Sequence, residues 1–184
     1  TKNTLQLFDK HNLRASSNFV LNELVKHLHE NEMLPALCFV FSRKNVETYA
    51  QQIQVPLLED DSKVPYIARK ECELMLRKLP NYQEYLCLPE YETMVRLLEK
   101  GIAIHHSGIL PVLREIVEML FAKGYIKLLF ATETFAVGIN MPTKTVIFTS
   151  MMKYTNGGNR FLLSHEYTQM AGRAGRRNLD TIGH

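Results

Sequence analysis

Hydrophobic and polar positions along the chain fall into two alternating patterns. Val20, Leu21, Leu24, Val25 and Leu28 recur at helical spacing behind Ser17 as N-cap, and the run stops near Asn31, which predicts a first amphipathic helix. Pro35 then leads into Ala36-Leu37-Cys38-Phe39-Val40-Phe41, six apolar residues without alternation, the pattern of a parallel strand covered on both faces. Similar runs return at Ile102-Ala103-Ile104, Leu128-Leu129-Phe130-Ala131 and Val146-Ile147-Phe148. Between them lie helical stripes: Val46, Ala50 and Ile53 make one, and Leu110, Leu113, Val117 and Leu120 make another, with Pro111 in its first turn and Gly124 past its end. Strand followed by helix, repeated, predicts an α/β domain with a parallel sheet and helices on both faces.

One interval breaks the rhythm. Residues 56–100 are too long for a single connection and carry two further helical patterns, around Ile67 to Leu79 and Tyr91 to Glu99, bounded by Pro65, Pro80 and Pro89. This is read as a helical insertion between the first and second strands, with Glu59-Asp60-Asp61 as a solvated turn. Residues 1–16 show no sustained period and are read as a lead-in segment; residues 17–184 form one domain.

Composition narrows the function classes only a little. The 184 residues are 46% apolar and 22% charged, ordinary for a folded domain, and the formal charge of +3 is too small for a global basic field. Contact with nucleic acid would therefore need a local patch. Cys38, Cys72 and Cys87 lie far apart with no metal or disulfide spacing, so all three are read as plain thiols of a reducing compartment. No apolar run has the length of a membrane span, and an intracellular location is expected, in nucleus or cytoplasm. The chain begins at Thr1 rather than Met, and a piece of a longer polypeptide is expected.

Ligands of open parallel sheets bind beyond the carboxyl ends of the strands. There this sequence places Ser42-Arg43-Lys44, His105-His106-Ser107-Gly108 and Thr132-Glu133-Thr134, a row of hydroxyls, cations, imidazoles and a glycine suited to a phosphate chain. Each has a plainer reading too. Ser42 can simply cap the next helix, the histidines can pack on the sheet, and the threonines can satisfy a helix start. With no Cys or acidic partner nearby in sequence, the histidine pair is not read as a metal site. A small-molecule enzyme using His105 and His106 would need a nucleophile, and none presents itself.

The densest chemistry is Gln169-Met170-Ala171-Gly172-Arg173-Ala174-Gly175-Arg176-Arg177. Guanidinium groups grip phosphate oxygens in a forked geometry, and Gly172 and Gly175 leave room for a ligand. A short helix opening behind Ser164 as N-cap would set Arg173 and Arg176 three apart on one face. Alone, such a cluster could equally be a solvated basic turn or a localisation signal.

As a whole, this stretch resembles the sixth motif of superfamily-two helicases of the Ski-like DExH-box class. Phe39-Val40-Phe41-Ser42-Arg43 resembles their fourth motif, residues 100–108 the next, and Ala131-Thr132-Glu133-Thr134-Phe135-Ala136-Val137-Gly138-Ile139-Asn140-Met141-Pro142 the fifth, all in the family's order. The wording is most similar to exosome-associated RNA helicases. Asn178 stands where the family usually has glycine after the paired arginines, a substitution that a left-handed turn tolerates.

The phosphate loop and acidic magnesium pair of a nucleotide hydrolase do not occur here, so the resemblance is to a second RecA-like lobe. It implies ATP and magnesium held mainly by a first lobe of the same polypeptide. Arg173 and Arg176 would act as arginine fingers, and Gln169, Gly138 and Asn140 would line the nucleotide side. Ser42, Arg43, His106, Ser107, Gly108, Thr132 and Glu133 would line an RNA track, gripping backbone rather than base edges. It further implies RNA as partner, an RNA-decay complex, 3′-to-5′ movement, and no ATPase from the lobe alone. The alternative is a non-catalytic RNA- or protein-binding module on the same fold.

Overall fold

Four short strands, β1 (Ala36–Phe39), β2 (Ile102–His105), β3 (Leu128–Ala131) and β4 (Thr145–Phe148), form one sheet in the order β2-β3-β1-β4. All pairings are parallel, with Ala36 opposite both Leu128 and Thr145, and Ile102 opposite Leu128. The computed structural model describes residues 16–136, 143–175, 180 and 182–184. The expected α/β architecture and all four strands are present.

Because strand side chains alternate between faces, each strand feeds two cores. Leu37, Phe39, Ala103, Leu129 and Ala131 point to one side, where they meet α6 (Pro111–Ala122) and the helices of the insertion, residues 56–100. Ala36, Cys38, Ile102, Leu128 and Phe130 point to the other, against α1 (Ser17–Glu30) and α2 (Arg43–Gln52). Leu37, Phe39, Leu128 and Phe130 are wholly buried, and burying each such side chain contributes about 1.5–3 kcal/mol. The unbroken apolar runs are thus the direct consequence of a sheet covered twice.

The insertion, residues 56–100, is helical, as expected, but contains three helices where the sequence pattern predicts two: α3 (Val64–Leu76), α4 (Tyr82–Leu86) and α5 (Pro89–Leu98). Five-residue α4 buries none of its residues, so it leaves no periodic stripe to read. Ala68, Cys72 and Leu76 of α3, with Tyr91, Met94, Val95 and Leu98 of α5, complete the first core. Glu59, Asp60 and Asp61 lie exposed in a turn closed by Ser62 N–H on the Glu59 carbonyl.

Two caps differ from expectation by one residue. Helix α1 is capped by Ser16, whose hydroxyl accepts the Phe19 N–H, and not by Ser17, its first helical residue. Helix α7 (Ser164–Ala171) starts on Ser164 itself, and the Leu163 N–H is taken at 2.8 Å by the Glu166 carboxylate. In both, the residue before the first full turn must keep an extended backbone, and the helix claims the next serine.

Between β4 and α7 stands an antiparallel hairpin, β5 (Met152–Thr155) and β6 (Gly158–Phe161), closed by Asn156-Gly157. Phe148 links this region to the sheet: its ring stacks on Phe39 at 5.7 Å and on Tyr167 of α7 at 5.2 Å.

Candidate functional site

Local sequence dictates where the strand-end residues go. After β1, Ser42 turns the chain and accepts the Asn45 N–H, capping α2 as its position suggests. That start leaves Arg43 and Glu47 one helical turn apart and exposed on the same face. After β2, the chain runs through His106-Ser107-Gly108 before Pro111 opens α6.

Side chains from these two stretches meet. The Arg43 guanidinium donates to the Ser107 hydroxyl at 2.6 Å, and the Glu47 carboxylate lies 3.1 Å from His106 Nε2. The Gly108 N–H donates to His106 Nδ1 at 3.1 Å, so Nδ1 carries a lone pair and Nε2 carries the proton that Glu47 accepts. A Cβ on Gly108 would stand 3.1 Å from the His106 ring and 3.5 Å from Arg43 Nη1, so glycine permits this close approach. Arg43, Ser107 and Gly108 are exposed, Ser42 is half-buried, and His106 is buried beneath them.

At the tip of β3, Thr132 is buried and its hydroxyl shares a 3.0 Å hydrogen bond with Thr134. Glu133 opens a 3-10 turn (Glu133–Ala136) and lies 3.7 Å from Lys153 of the hairpin. His105, at the end of β2, is buried, 2.7 Å from Glu118 and edge-on to Phe135 at 4.9 Å. Burial, the leading cause, lowers its pKa below the ordinary histidine value, with Glu118 opposing. His105 is a packed sheet residue, the plainer of its two readings.

The arginine-rich stretch is built differently from its expected form. Helix α7 ends at Ala171, with Gly172 as its C-cap, so Arg173 lies beyond the helix that was expected to carry it. Arg176, Gly138, Asn140 and Asn178 lie outside the described residues. The Arg173 side chain is half-buried and donates to the carbonyl of Ala136, the last residue of the 3-10 turn. Its backbone carbonyl accepts the Thr143 N–H at 2.8 Å, and Gly175 N–H returns to the Thr143 carbonyl at 2.7 Å. Gln169 is exposed on α7.

Gly175, one of the two glycines expected to leave ligand space, packs against Gly183 of the chain itself. Gly175 adopts φ +89°, and a Cβ on Gly183 would stand 2.6 Å from the Ala174 carbonyl. The turn is thereby held against the segment entering β4, where His184 also exchanges hydrogen bonds with Lys144 and Val146.

Sequence reading missed a second ionic cluster. Arg160 grips Glu166 through two hydrogen bonds of 2.8 Å, and Lys153 lies 2.6 Å from the same carboxylate. These bonds, Arg160 first, hold the Glu166 carboxyl well below the usual carboxylate range. The Asn156-Gly157 pair could have revealed the hairpin that brings Lys153 and Arg160 together. Glu47, too, could have been found from its spacing after Arg43.

Among the described residues no three His, Cys, Asp or Glu side chains converge into a metal-binding group, and no helix is long and apolar enough to cross a membrane. Residues 72–178 match the family described as "Helicase conserved C-terminal domain". The chain is 45% identical over 164 residues to the antiviral helicase SKI2 of Saccharomyces cerevisiae, covering 88% of this chain and 12% of that protein. It is 42% identical over 166 residues to the exosome RNA helicase MTR4 of Homo sapiens, covering 88% of this chain and 15% of that one. It is also 42% identical over 172 residues to superkiller complex protein 2 of Homo sapiens, covering 92% and 13%. The chain thus spans less than one sixth of the length of each of these three relatives.

Proposed function

The chain belongs to the helicase conserved C-terminal domain family, within the Ski-like class of superfamily-two RNA helicases, and from that premise we propose that it is the second motor lobe of an ATP-dependent RNA helicase. What supports the reading is the meeting of Arg43, beyond β1, with Ser107, beyond β2, at 2.6 Å on the strand-end edge. Two stretches 64 positions apart converge there on a surface of cation, hydroxyl and glycine backbone. Such a surface grips sugar and phosphate without reading sequence. Ser42, Arg43, Ser107, Gly108 and Glu133 form the exposed or partly exposed part of the RNA track, while His106 and Thr132 brace it from below.

On the nucleotide side, the donors present suit phosphate. A guanidinium has five N–H donors, of which the bond to Ala136 engages one group of Arg173, and Gln169 offers an amide. Arg173 and Arg176 would hold the phosphates of ATP from this lobe, with Gln169, Gly138 and Asn140 alongside. Magnesium and the phosphate loop belong to a first lobe elsewhere in the polypeptide. When bound, ATP supplies phosphoryl transfer to water. The chain's part is to place positive charge where negative charge builds up, a contribution of roughly a thousandfold or more in rate.

Closure against the first lobe would couple hydrolysis to movement along one RNA strand, inside the cell and within an RNA-decay assembly. The test is made in the full-length protein. Arg176→Ala is expected to lower RNA-stimulated ATP hydrolysis by about a thousandfold while leaving the fold intact. Turnover at the wild-type rate overturns the finger assignment. The isolated chain is expected to show no ATPase, and a full-length protein without a first lobe would favour the binding module instead.

A further inference from the structure

Helix α2 sends two side chains to the same loop. Arg43 holds Ser107, and one turn later Glu47 accepts the Nε2–H of His106, whose Nδ1 takes the Gly108 N–H. The imidazole is buried and both its nitrogens are engaged, so it acts as a rigid strut between α2 and the turn that displays Ser107 and Gly108. Glu47 is otherwise out of place. Its carboxylate is about half exposed on the same helix face as Arg43, where a negative charge opposes the approach of phosphate. As a half-exposed hydrogen bond to a neutral imidazole it would contribute only modestly to stability. Its distinctive effect is on the imidazole: an acceptor at Nε2 selects the tautomer that leaves Nδ1 free for the Gly108 N–H.

We propose that Glu47 is a positioning residue for RNA binding: by fixing the tautomer and orientation of His106 it locks the Ser107-Gly108 turn in the form that pairs with Arg43. Nothing about Glu47 touches RNA in this scheme, and the inference rests on the RNA-track reading above. It follows that Glu47 governs how much RNA is needed, while the rate of hydrolysis once RNA is bound is set elsewhere.

The experiment measures ATP hydrolysis by the full-length protein against increasing single-stranded oligouridylate. Glu47→Leu is expected to raise the half-saturating RNA concentration about tenfold, the factor for losing one charge-assisted hydrogen bond, with kcat and the KM for ATP within about twofold of wild type. Glu47→Gln, whose amide oxygen accepts the same N–H, is expected to restore RNA affinity to within about twofold of wild type. Glu47→Asp keeps the charge but withdraws the oxygen, and is expected to weaken RNA several-fold; it serves as the test if Glu47→Leu does not fold. Unchanged affinity in Glu47→Leu or Glu47→Asp overturns the proposal, as does a Glu47→Gln protein as weak as Glu47→Leu. Arg43→Ala separates the two levels. If it too leaves RNA affinity unchanged, the RNA-track reading falls as well; if it weakens binding while Glu47→Leu does not, only the role of Glu47 is lost.

Discussion

Arg173 donates its guanidinium to the carbonyl of Ala136, 37 residues earlier in the chain. The bond joins the arginine-rich turn to the 3-10 turn that begins with Glu133, so elements expected on the nucleotide and RNA sides are held in one network. Ala136 is buried, and an unpaired carbonyl there is costly. Arg173→Ala is expected to destabilise the chain by about 1–3 kcal/mol, which urea unfolding would measure. Stability equal to wild type would mean that the contact contributes nothing.

Glu166 predicts an acid sensitivity localised to the hairpin. Its pKa is depressed from an ordinary 4.5 by Arg160, Lys153 and the Leu163 N–H, in that order. A depressed carboxylate contributes stability that is present above its unfolded value and is lost as pH falls through the folded one. Attachment of the hairpin to α7 is therefore full at neutral pH and weakens progressively below about 4.5. Glu166→Gln should lower stability at neutral pH and remove most of this acid slope in parallel unfolding series. A mutant with an unchanged slope would place the acid response elsewhere.

Thiol chemistry offers a quick check of the packing. Cys38 and Cys72 are buried in the two cores, and burial pushes both thiols up to about 12, whereas Cys87 is exposed. Since the thiolate is the reactive form, Cys87 alone should react quickly with a disulfide reagent in the folded protein, and all three after denaturation. Fast labelling of Cys38 or Cys72 without denaturant would contradict the core as described.

Gly183 tests the tail packed against the arginine turn. Gly183→Ala would drive a methyl group to within 2.6 Å of the Ala174 backbone, which has no flexible side chain to move aside. A loss of about 1–3 kcal/mol is expected, the ordinary range for overpacking. Faster exchange of the Gly175 and His184 amides, both hydrogen-bonded to the segment entering β4, would locate the damage.

How much of this was legible beforehand varies with range. Ser42 as a cap, and the stripes Val46-Ala50-Ile53 and Leu113-Val117-Leu120, are visible because helix start and periodicity are properties of neighbouring residues, whereas Leu110, expected in the second stripe, is the exposed N-cap of its helix. Helix α4 escaped because five residues cannot display a period, and the Glu166 cluster escaped because its members come from three different elements. The expectation that Arg173 rides on a helix failed for a local reason: α7 stops at Ala171, two residues before it.

The amino-acid sequence alone determined the strands, the helical insertion, the double covering of the sheet and the order of the helicase-like motifs, because each is written in the spacing of nearby side chains. Tertiary structure alone decided that Arg43 reaches Ser107, that Glu47 orients His106 and that Arg173 turns to Ala136. Those contacts join positions from 37 to 64 residues apart, and only the packing of helices on a twisted parallel sheet brings them within hydrogen-bonding distance.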